Sequence, residues 1–273
     1  MLTEQEIRTI AQKLKNAQDN VQQIAPISSR YSELDATSAY AVLQLIHEAR
    51  LAEGAIPVGR KIGFTNADMW PLFGVNEPVW GYVYDTTTTQ LSRENANCSI
   101  EKFSEPKIEP EIVFHFHAAP PVKGDLIALL ESVDWIAPAF DIGQSHFPDW
   151  KFKAADTIAD SALHAALLVG EHQSIDKLRP NLLATLESFS VELCCNSQIR
   201  ATGKGSNVLG SPLLAAAHLI SVLSRQPQFQ PIQANELVTT GSITTAQSVF
   251  AGEIWSADFH GIGLSKLSVE FTE

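Results

Sequence analysis

The chain begins with hydrophobic residues at helical spacing. Apolar residues recur every three to four positions over 7–14 and again over 42–49, which is typical of amphipathic helices. Thr3 and Glu6 precede the first stripe at the spacing of a capping box,. Residues 1–56 are therefore predicted to form a helical N-terminal segment.

After Pro57 the pattern changes to short β-type runs, separated by clusters of Gly, Pro, Asn and Thr,. These runs predict strands over 58–64, 79–84, 108–117, 135–142, 165–169, 189–195, 236–241 and 267–271. Helical patterns interrupt them over 126–133 and 213–223,. We expect an α+β fold in which the helical segment precedes a β-rich domain over 57–273.

Composition and charge exclude several classes of function. The 31 acidic residues outnumber the 19 basic ones, and the net charge of -12 disfavours binding to nucleic acid,. No apolar run reaches the roughly 18 to 20 residues that cross a bilayer, and the N-terminus lacks a signal-peptide pattern. The three cysteines form no CxxC pair, so a thiolate zinc site is not indicated. We expect no membrane contact and a cytoplasmic location.

The segment PKIEPEIVFHFH (106–117) has the most informative polar pattern. Strand alternation divides it into an apolar face, with Ile108, Ile112, Phe114 and Phe116, and a second face with Glu109, Glu111, Val113, His115 and His117,. Two carboxylates on one face repel each other unless a cation lies between them. Hard oxygen ligands favour magnesium, manganese or calcium over zinc. Asp141, near the end of the apolar run 135–142, is the candidate third ligand.

Other interpretations of these residues remain open. Glu109 and Glu111 could line a solvated sheet face. His115 and His117 could add softer ligands, but two residues advance a strand by about 6 to 7 Å, so Glu109 and His117 cannot share one ion. Lys61, between the glycines of GRKIGFT, faces carboxylates, an anionic substrate or solvent.

Further motifs are less specific. Asp156 and Asp160 in ADTIAD lie on one helical face, where surface charge and helix capping are equally good explanations. The segment TGKGSN (202–207) matches neither phosphate-binding pattern, and no GxSxG elbow occurs,. Nucleotide binding and acyl-serine chemistry are therefore not indicated.

A set of motifs along the chain resembles one known family. The motifs are GRKIGFT (59–65), EPVWG (77–81), PKIEPE (106–111), IAPAFDI (136–142), DWKFKAADTIAD (149–160), VLGSPL (208–213), TTGSITTA (239–246) and GIGLSKLSVEF (261–271). Their order is similar to that in bacterial 2-keto-4-pentenoate hydratases and 4-oxalocrotonate decarboxylases, over nearly the full length. The resemblance implies a fumarylacetoacetate hydrolase-like fold, with a mixed β-roll as the catalytic domain over 57–273.

The resemblance also implies a site. The family holds Mg²⁺ or Mn²⁺ with three carboxylates, which map onto Glu109, Glu111 and Asp141, the last in place of the usual Glu. The catalytic residues would be Lys61 and Asp156. Substrate would contact Lys61, Val79, His146, Ser161 and Thr240, with His146 near the usual Arg and Ser161 where Asn is frequent.

The activity implied by the resemblance is that of a divalent-metal-dependent lyase in aromatic-compound catabolism, acting on a small unsaturated 2-oxo or 2-enol acid. Hydratases of the family carry an acid/base Asp before an aromatic–Gly pair, and here that position is Val79. Since decarboxylation does not need that base, decarboxylation of an oxalocrotonate-type diacid is favoured. The alternatives are water addition to 2-hydroxypenta-2,4-dienoate and a catalytically silent oligomer partner. A homo-oligomer is expected, and family decarboxylases can associate with a hydratase.

Overall fold

The computed structural model describes residues 2–67, 70–73, 77–92, 96–178 and 181–273. Its helices are α1 (Glu4–Asp19), α2 (Ile27–Arg30), α3 (Ala36–Ala52), α4 (Trp70–Phe73), α5 (Leu126–Glu131), α6 (Ala154–Ala159), α7 (Ile175–Leu178), α8 (Leu182–Ser188) and α9 (Pro212–Ser224). Its strands are β1 (Pro57–Gly63), β2 (Val79–Tyr84), β3 (Thr88–Gln90), β4 (Asn97–Ser99), β5 (Lys107–Phe116), β6 (Val133–Gly143), β7 (His164–Val169), β8 (Gln173–Ser174), β9 (Ser190–Cys195), β10 (Gln198–Lys204), β11 (Glu236–Thr239), β12 (Gln247–Ser248), β13 (Ile254–His260) and β14 (Leu267–Thr272).

The N-terminal helices form as the sequence predicts. The Thr3 hydroxyl and the Glu6 side chain make a reciprocal capping box at the start of α1, and the Asp35 carboxylate accepts the Ser38 N–H at the start of α3. These bonds satisfy amide groups that have no partner within the helix. Helices α1, α2 and α3 precede the first strand, because β1 begins at Pro57.

Two sheets form the β-rich part. The larger has the strand order β2-β1-β11-β5-β6-β7-β3, with β12 paired to β5 and β8 to β6, and the smaller has the order β10-β9-β13-β14-β4. The larger sheet is mixed, because β11 runs parallel to β1 and antiparallel to β5. This mixed topology, with helices at the N-terminus, confirms the expected fold class.

One face of the larger sheet carries a separate apolar cluster of Val83, Val113, Ala137, Ala139, Leu167, Val169 and Leu237. We call this the inner face. Strand registers link its members across the sheet: Leu237 is opposite His115 on β5, Val113 is opposite Ala137 on β6, and Ala139 is opposite Val169 on β7. The polar residues farther along the same face therefore lie next to a buried apolar cluster.

Of the strands that the described residues form, β3, β4, β8, β10, β12 and β13 were missing from the predicted set. Both β10 and β13 pair with β9, and β13 alternates between buried and more exposed positions. β10 (QIRATGK) has few apolar residues, whereas in β13 (IWSADFH) Trp255, Ala257 and Phe259 alternate with polar residues. Pairing with β9 helps to stabilise both strands.

The stretch Gly205–Ser224 is apolar and long enough by composition to cross a membrane, and 56% of it is buried within the fold. Its helical part, α9, has 13 residues and is about 20 Å long, short of the roughly 30 Å of a bilayer core. It packs on α5, α8 and β1. These contacts are those of a core helix.

Candidate metal centre and cavity

The candidate site lies on the inner face of the larger sheet. Lys61 on β1 is opposite Gly81 on β2 and Thr239 on β11, and its side chain is buried. Arg60 points to the opposite face, as strand alternation predicts, and its guanidinium lies 4.1 Å from the centre of the Tyr82 ring. The inward direction of Lys61 therefore follows from its register in β1.

Three carboxylates gather beside Lys61. Glu109 on β5 lies directly opposite Asp141 on β6, and Glu111, two residues along β5, lies opposite Ala139. One oxygen from each of Glu109, Glu111 and Asp141 lies within 4.8 Å of the others. Glu111 and Asp141 are buried, and Glu109 is partly buried. Strand alternation and the β5–β6 register produce this cluster.

Asp141 is held from two sides. Its Oδ2 forms an ion pair with the Lys61 ammonium, and its Oδ1 lies 3.3 Å from His164 Nδ1. The other ring nitrogen of His164 is 2.9 Å from the Thr87 hydroxyl. Since one residue binds each oxygen, the short Asp141 side chain has a fixed direction.

Glu111 is fixed by a turn after β11. The Gly241 N–H donates to Glu111 Oε2 over 2.9 Å. Gly241 has φ of +93°, and a Cβ there would overlap the Thr65 hydroxyl. Glycine satisfies both requirements, because it adopts positive φ readily and carries no Cβ.

The pKa shifts of the three carboxylates indicate that Lys61 alone does not balance their negative charge. Burial raises the pKa of Glu109 to about 7, against the opposing effect of Lys61. Burial, with repulsion from Asp141 and Glu109, raises the pKa of Glu111 well above its ordinary value. For Asp141 the Lys61 ammonium and His164 outweigh burial and hold the pKa below its usual range. The Lys61 ammonium thus stabilises the ionised form of Asp141, whereas the ionised forms of Glu109 and Glu111 remain destabilised.

This donor set fits a divalent cation. All three groups present hard carboxylate oxygens, which suit Mg²⁺ and Mn²⁺. A cation among them would stabilise the ionised forms of Glu109 and Glu111, which burial alone disfavours. Glu109, Glu111 and Asp141 are the residues that would hold it.

A cavity of about 300 Å³ opens onto the cluster. Lys61, Glu109 and Glu111 line it, together with Val79, which is opposite Gly63 on β1. Glu109 and Glu111 are the carboxylates among the described lining residues. The cavity therefore joins the candidate metal ligands to a space that a small acid can enter.

Asp156 lies outside this cavity wall. It is fully buried, and its carboxylate accepts the Ser28 N–H at 2.8 Å, the Ser28 hydroxyl at 2.6 Å and the Lys153 N–H at 2.9 Å. These bonds cap α6 and tie it to α2. Of the two explanations left open by its sequence, capping is the one that the structure displays.

Three predicted substrate-binding residues also lie outside the cavity wall. His146 Nδ1 contacts the Asp160 carboxylate at 2.8 Å, and Ser161 accepts a bond from Gln18. The Thr240 hydroxyl donates to the Ile112 carbonyl, on the backbone of β5. The substrate-binding roles of these three residues and the catalytic role of Asp156 stay predictions.

Several lining residues were not among the candidates. They include Lys107, Trp150, Phe152, Thr65, Ser242 and Thr244. Lys107 precedes Glu109 by two positions on β5, so strand alternation places it on the same face. Trp150 and Phe152 belong to the motif DWKFKAADTIAD (149–160). The sequence therefore contained a signal for Lys107, Trp150 and Phe152, but only the fold shows that β5 and the segment 149–153 line the same cavity.

Comparison with known proteins identifies the family. No family model matches the chain. A 2-keto-4-pentenoate hydratase of Paraburkholderia phymatum is 29% identical over 271 residues, which cover 98% of this chain and 99% of the relative. A 2-hydroxypent-2,4-dienoate hydratase of Pseudomonas putida is 30% identical over 224 residues, 80% of this chain and 95% of the relative. The chain belongs to the 2-keto-4-pentenoate hydratase family.

A solved structure extends this family assignment to the fold. The 4-oxalocrotonate decarboxylase of Pseudomonas putida G7, complexed with magnesium and adipate, superposes with a TM-score of 0.88 at 26% identity, covering 99% of both chains. More distant structures of the fumarylacetoacetate hydrolase family share the fold. The family and the fold class expected from the sequence are both confirmed.

Proposed function

We propose that this protein is a Mg²⁺- or Mn²⁺-dependent decarboxylase of an unsaturated six-carbon 2-oxo diacid. Family membership supports an enzyme of this lyase type, and the buried carboxylate cluster beside the cavity supports the metal. The similar decarboxylase is complexed with magnesium and with adipate, itself a six-carbon diacid.

The proposed reaction converts 2-oxohex-3-enedioate into 2-hydroxypenta-2,4-dienoate and CO₂. The C5–C6 bond breaks, and its electron pair forms the C4–C5 double bond. The C3–C4 double bond shifts to C2–C3, and the 2-oxo oxygen receives the negative charge. One proton on that oxygen completes the enol product.

The residues of the chain bind and orient the reacting atoms. Glu109, Glu111 and Asp141 would hold a divalent cation, which would supply Lewis-acid chemistry to the 2-oxo acid end of the substrate. Lys61, which lines the cavity, stabilises the negative charge that develops on the 2-oxo oxygen,. The Gly241 N–H and His164 hold Glu111 and Asp141 in place, so little reorganisation is needed during the reaction.

The observation that favours decarboxylation is the apolar side chain of Val79 in the cavity wall. Adding water to a conjugated carbon needs a general base within hydrogen-bond reach. The described lining residues offer only Glu109 and Glu111 as carboxylates, and both belong to the candidate metal cluster. Loss of CO₂ needs no such base.

Hydration of 2-hydroxypenta-2,4-dienoate is the second candidate. The curated relatives named above favour it, because both are hydratases. A hydratase of this chain would have to activate water without an acid at position 79.

The test incubates the purified protein with Mg²⁺ and 2-oxohex-3-enedioate while following CO₂ release and ultraviolet absorbance. A Glu109→Gln, Glu111→Gln double variant is the control. Metal-dependent CO₂ release that disappears in the variant supports the decarboxylase. Absence of CO₂, with water addition to 2-hydroxypenta-2,4-dienoate, establishes the hydratase instead, and inactivity on both acids favours the silent oligomer partner.

We also infer a cytoplasmic protein that takes a small-molecule acid and forms a homo-oligomer. The names of the relatives describe enzymes of small-molecule catabolism. Sedimentation analysis of the purified chain, alone and mixed with a family hydratase, tests the assembly.

A further inference from the structure

Lys107 is a cavity residue with a charge that the proposed reaction does not use. It lines the cavity and is half-buried. Its ammonium lies 4.1 Å from the centre of the Trp150 ring, which is cation–π distance. The part of the chain that the structure describes gives this ammonium no carboxylate within ion-pair distance. A partly desolvated cation of this kind favours an anion from outside the chain.

The position of Lys107 relative to the metal cluster fits one end of a diacid. Lys107 and Glu109 are two residues apart on the same face of β5, a separation of about 6.5 Å. Five carbon–carbon bonds of about 1.5 Å span about 6 Å when extended. A six-carbon chain whose 2-oxo acid end lies at a cation held by Glu109 and Glu111 is therefore long enough to reach Lys107 with its far carboxylate.

The support around Lys107 fixes its direction. Trp150 donates its ring N–H to the Glu105 carbonyl at 3.0 Å, and the edge of its ring packs against Gly143, where a Cβ would meet it at 3.3 Å. Gly143 is the register partner of Lys107 on β6. The aromatic ring thus occupies a fixed place at the cavity wall and supports the ammonium on one side.

We propose that Lys107, supported by Trp150, forms a second anion subsite that binds the distal carboxylate of a dicarboxylic substrate. The substrate class rests on the proposed function, while the subsite itself concerns binding only. The site would discriminate a diacid from a monoacid of the same length. An acid without the far carboxylate would leave the Lys107 ammonium with no carboxylate within ion-pair distance.

The test compares two saturated acids, 2-oxohexanedioate and 2-oxohexanoate, which differ only in the distal carboxylate. Neither has a C3–C4 double bond, so the electrons of the C5–C6 bond have no path to the 2-oxo oxygen, and both bind without decarboxylating. Calorimetric titration of the Mg²⁺-loaded protein should show tighter binding of the diacid by about tenfold, the size of one charge-assisted hydrogen bond.

Three variants separate the subsite from general electrostatics. Lys107→Met should abolish the diacid preference, while Lys107→Arg should retain it, because guanidinium keeps the charge. Lys151→Met removes the same charge from an exposed lysine that pairs with Asp149 and should retain the wild-type preference. Equal affinity of the wild type for the two acids, failure to bind either, or a preference that survives Lys107→Met overturns the subsite.

The CO₂ assay adds a kinetic readout. Lys107→Met should raise KM for 2-oxohex-3-enedioate about tenfold without lowering kcat, since Lys107 stabilises a carboxylate that loses its charge in the reaction. A protein that prefers the diacid through Lys107 but releases no CO₂ contradicts the proposed function and leaves the subsite intact. A decarboxylase whose KM is unchanged by Lys107→Met contradicts the subsite alone.

Discussion

Glu109 and Asp141 face each other directly across the antiparallel strands β5 and β6. Opposed residues in a sheet have Cβ atoms about 5 Å apart, and like charges in such a pair are destabilising. Lys61 offsets part of this repulsion by pairing with Asp141, but Glu111 adds a third carboxylate to the cluster. The register of β5 and β6 therefore brings together negative charges that a bound cation would stabilise.

Divalent cations should stabilise the folded protein through this cluster. We expect the melting temperature to rise with Mg²⁺ or Mn²⁺ concentration, because an ion that binds only the folded state shifts the unfolding equilibrium. Glu111→Gln should remove most of this rise. Glu105→Gln, which alters an exposed carboxylate, is the matched control, and an unchanged metal response in Glu111→Gln would contradict the assignment.

Replacing Lys61 should separate catalysis from metal binding. Lys61→Met removes the cation that competes with a metal for Asp141 and leaves a buried carboxylate unpaired, which costs about 3 to 5 kcal/mol. We expect a less stable metal-free protein, restored by Mg²⁺, with CO₂ release at least about a hundredfold slower. Urea unfolding with and without Mg²⁺ measures the first effect, and weaker Mn²⁺ binding would count against this arrangement.

Gly241→Ala should damage both stability and the metal site. The new Cβ would clash with Thr65 at φ of +93° and displace the N–H that binds Glu111. Gly252 offers a matched control, since it has φ of +85° but open space around its Cα. We expect Gly252→Ala to cost about 1 kcal/mol and to keep full Mn²⁺ affinity, whereas Gly241→Ala costs more and loses affinity. Equal behaviour of the two variants would contradict the role of the turn.

His164 should act on metal affinity through Asp141. Without the imidazole near Oδ1, Asp141 can rotate away from the cluster. Outer-shell partners of this kind are worth about 10- to 100-fold in metal affinity. Titration of Mn²⁺ followed by electron paramagnetic resonance should show a loss of that size in His164→Ala. The exposed His172, altered in the same way, should leave the dissociation constant unchanged.

His47 should make stability depend on pH. Burial, with repulsion from Arg60, lowers its pKa to about 4, below the value of about 6.5 in the unfolded chain. Between these values the unfolded state binds more protons, so the free energy of unfolding rises with pH. This contribution, at most about 3 kcal/mol, is complete above pH 6.5 and is lost as pH falls toward 4.

The check is urea unfolding of wild type and His47→Gln at pH 7.5 and pH 5. Wild type should lose more stability between these values than the variant, because glutamine does not titrate. The exposed His260, changed to Gln, serves as control and should preserve the wild-type difference. A parallel loss in wild type and His47→Gln would exclude His47 as the source.

Strand alternation was sufficient to place Glu109 and Glu111 on one face, because the period of a strand is two residues. Asp141 was harder to place, since its approach to Glu109 depends on the β5–β6 register, which hydrophobic pattern alone does not fix. No sequence pattern indicated that His164 belongs to the site. Its contact with Asp141 depends on where β7 begins, and the short helical turn before it carries left-handed residues at positions 161–163.

Helices α1, α3, α5 and α9 and the longer strands of the larger sheet were predicted well because their apolar periodicity was strong, whereas the short helices α2, α4, α6, α7 and α8 were not predicted as separate elements. The role of Asp156 depends on contacts that the motif alone does not show. The motif draws attention to a buried acid, but its bonds to Ser28 and Lys153 form only when α2 packs on α6. The same residue type in the same motif can hold two helices together or take part in a reaction, and only its surroundings distinguish the two.

The central position of β11 has a consequence for biosynthesis. This strand, from Glu236 to Thr239, lies between β1 and β5, so Lys61 and the two glutamates belong to strands that do not pair with each other. During translation β1 and β5 leave the ribosome long before β11, and their open edges stay available for wrong pairing. The candidate metal-binding pocket therefore forms only after β11 has been synthesised, and a nascent chain stalled before residue 236 should be a preferred client of chaperones.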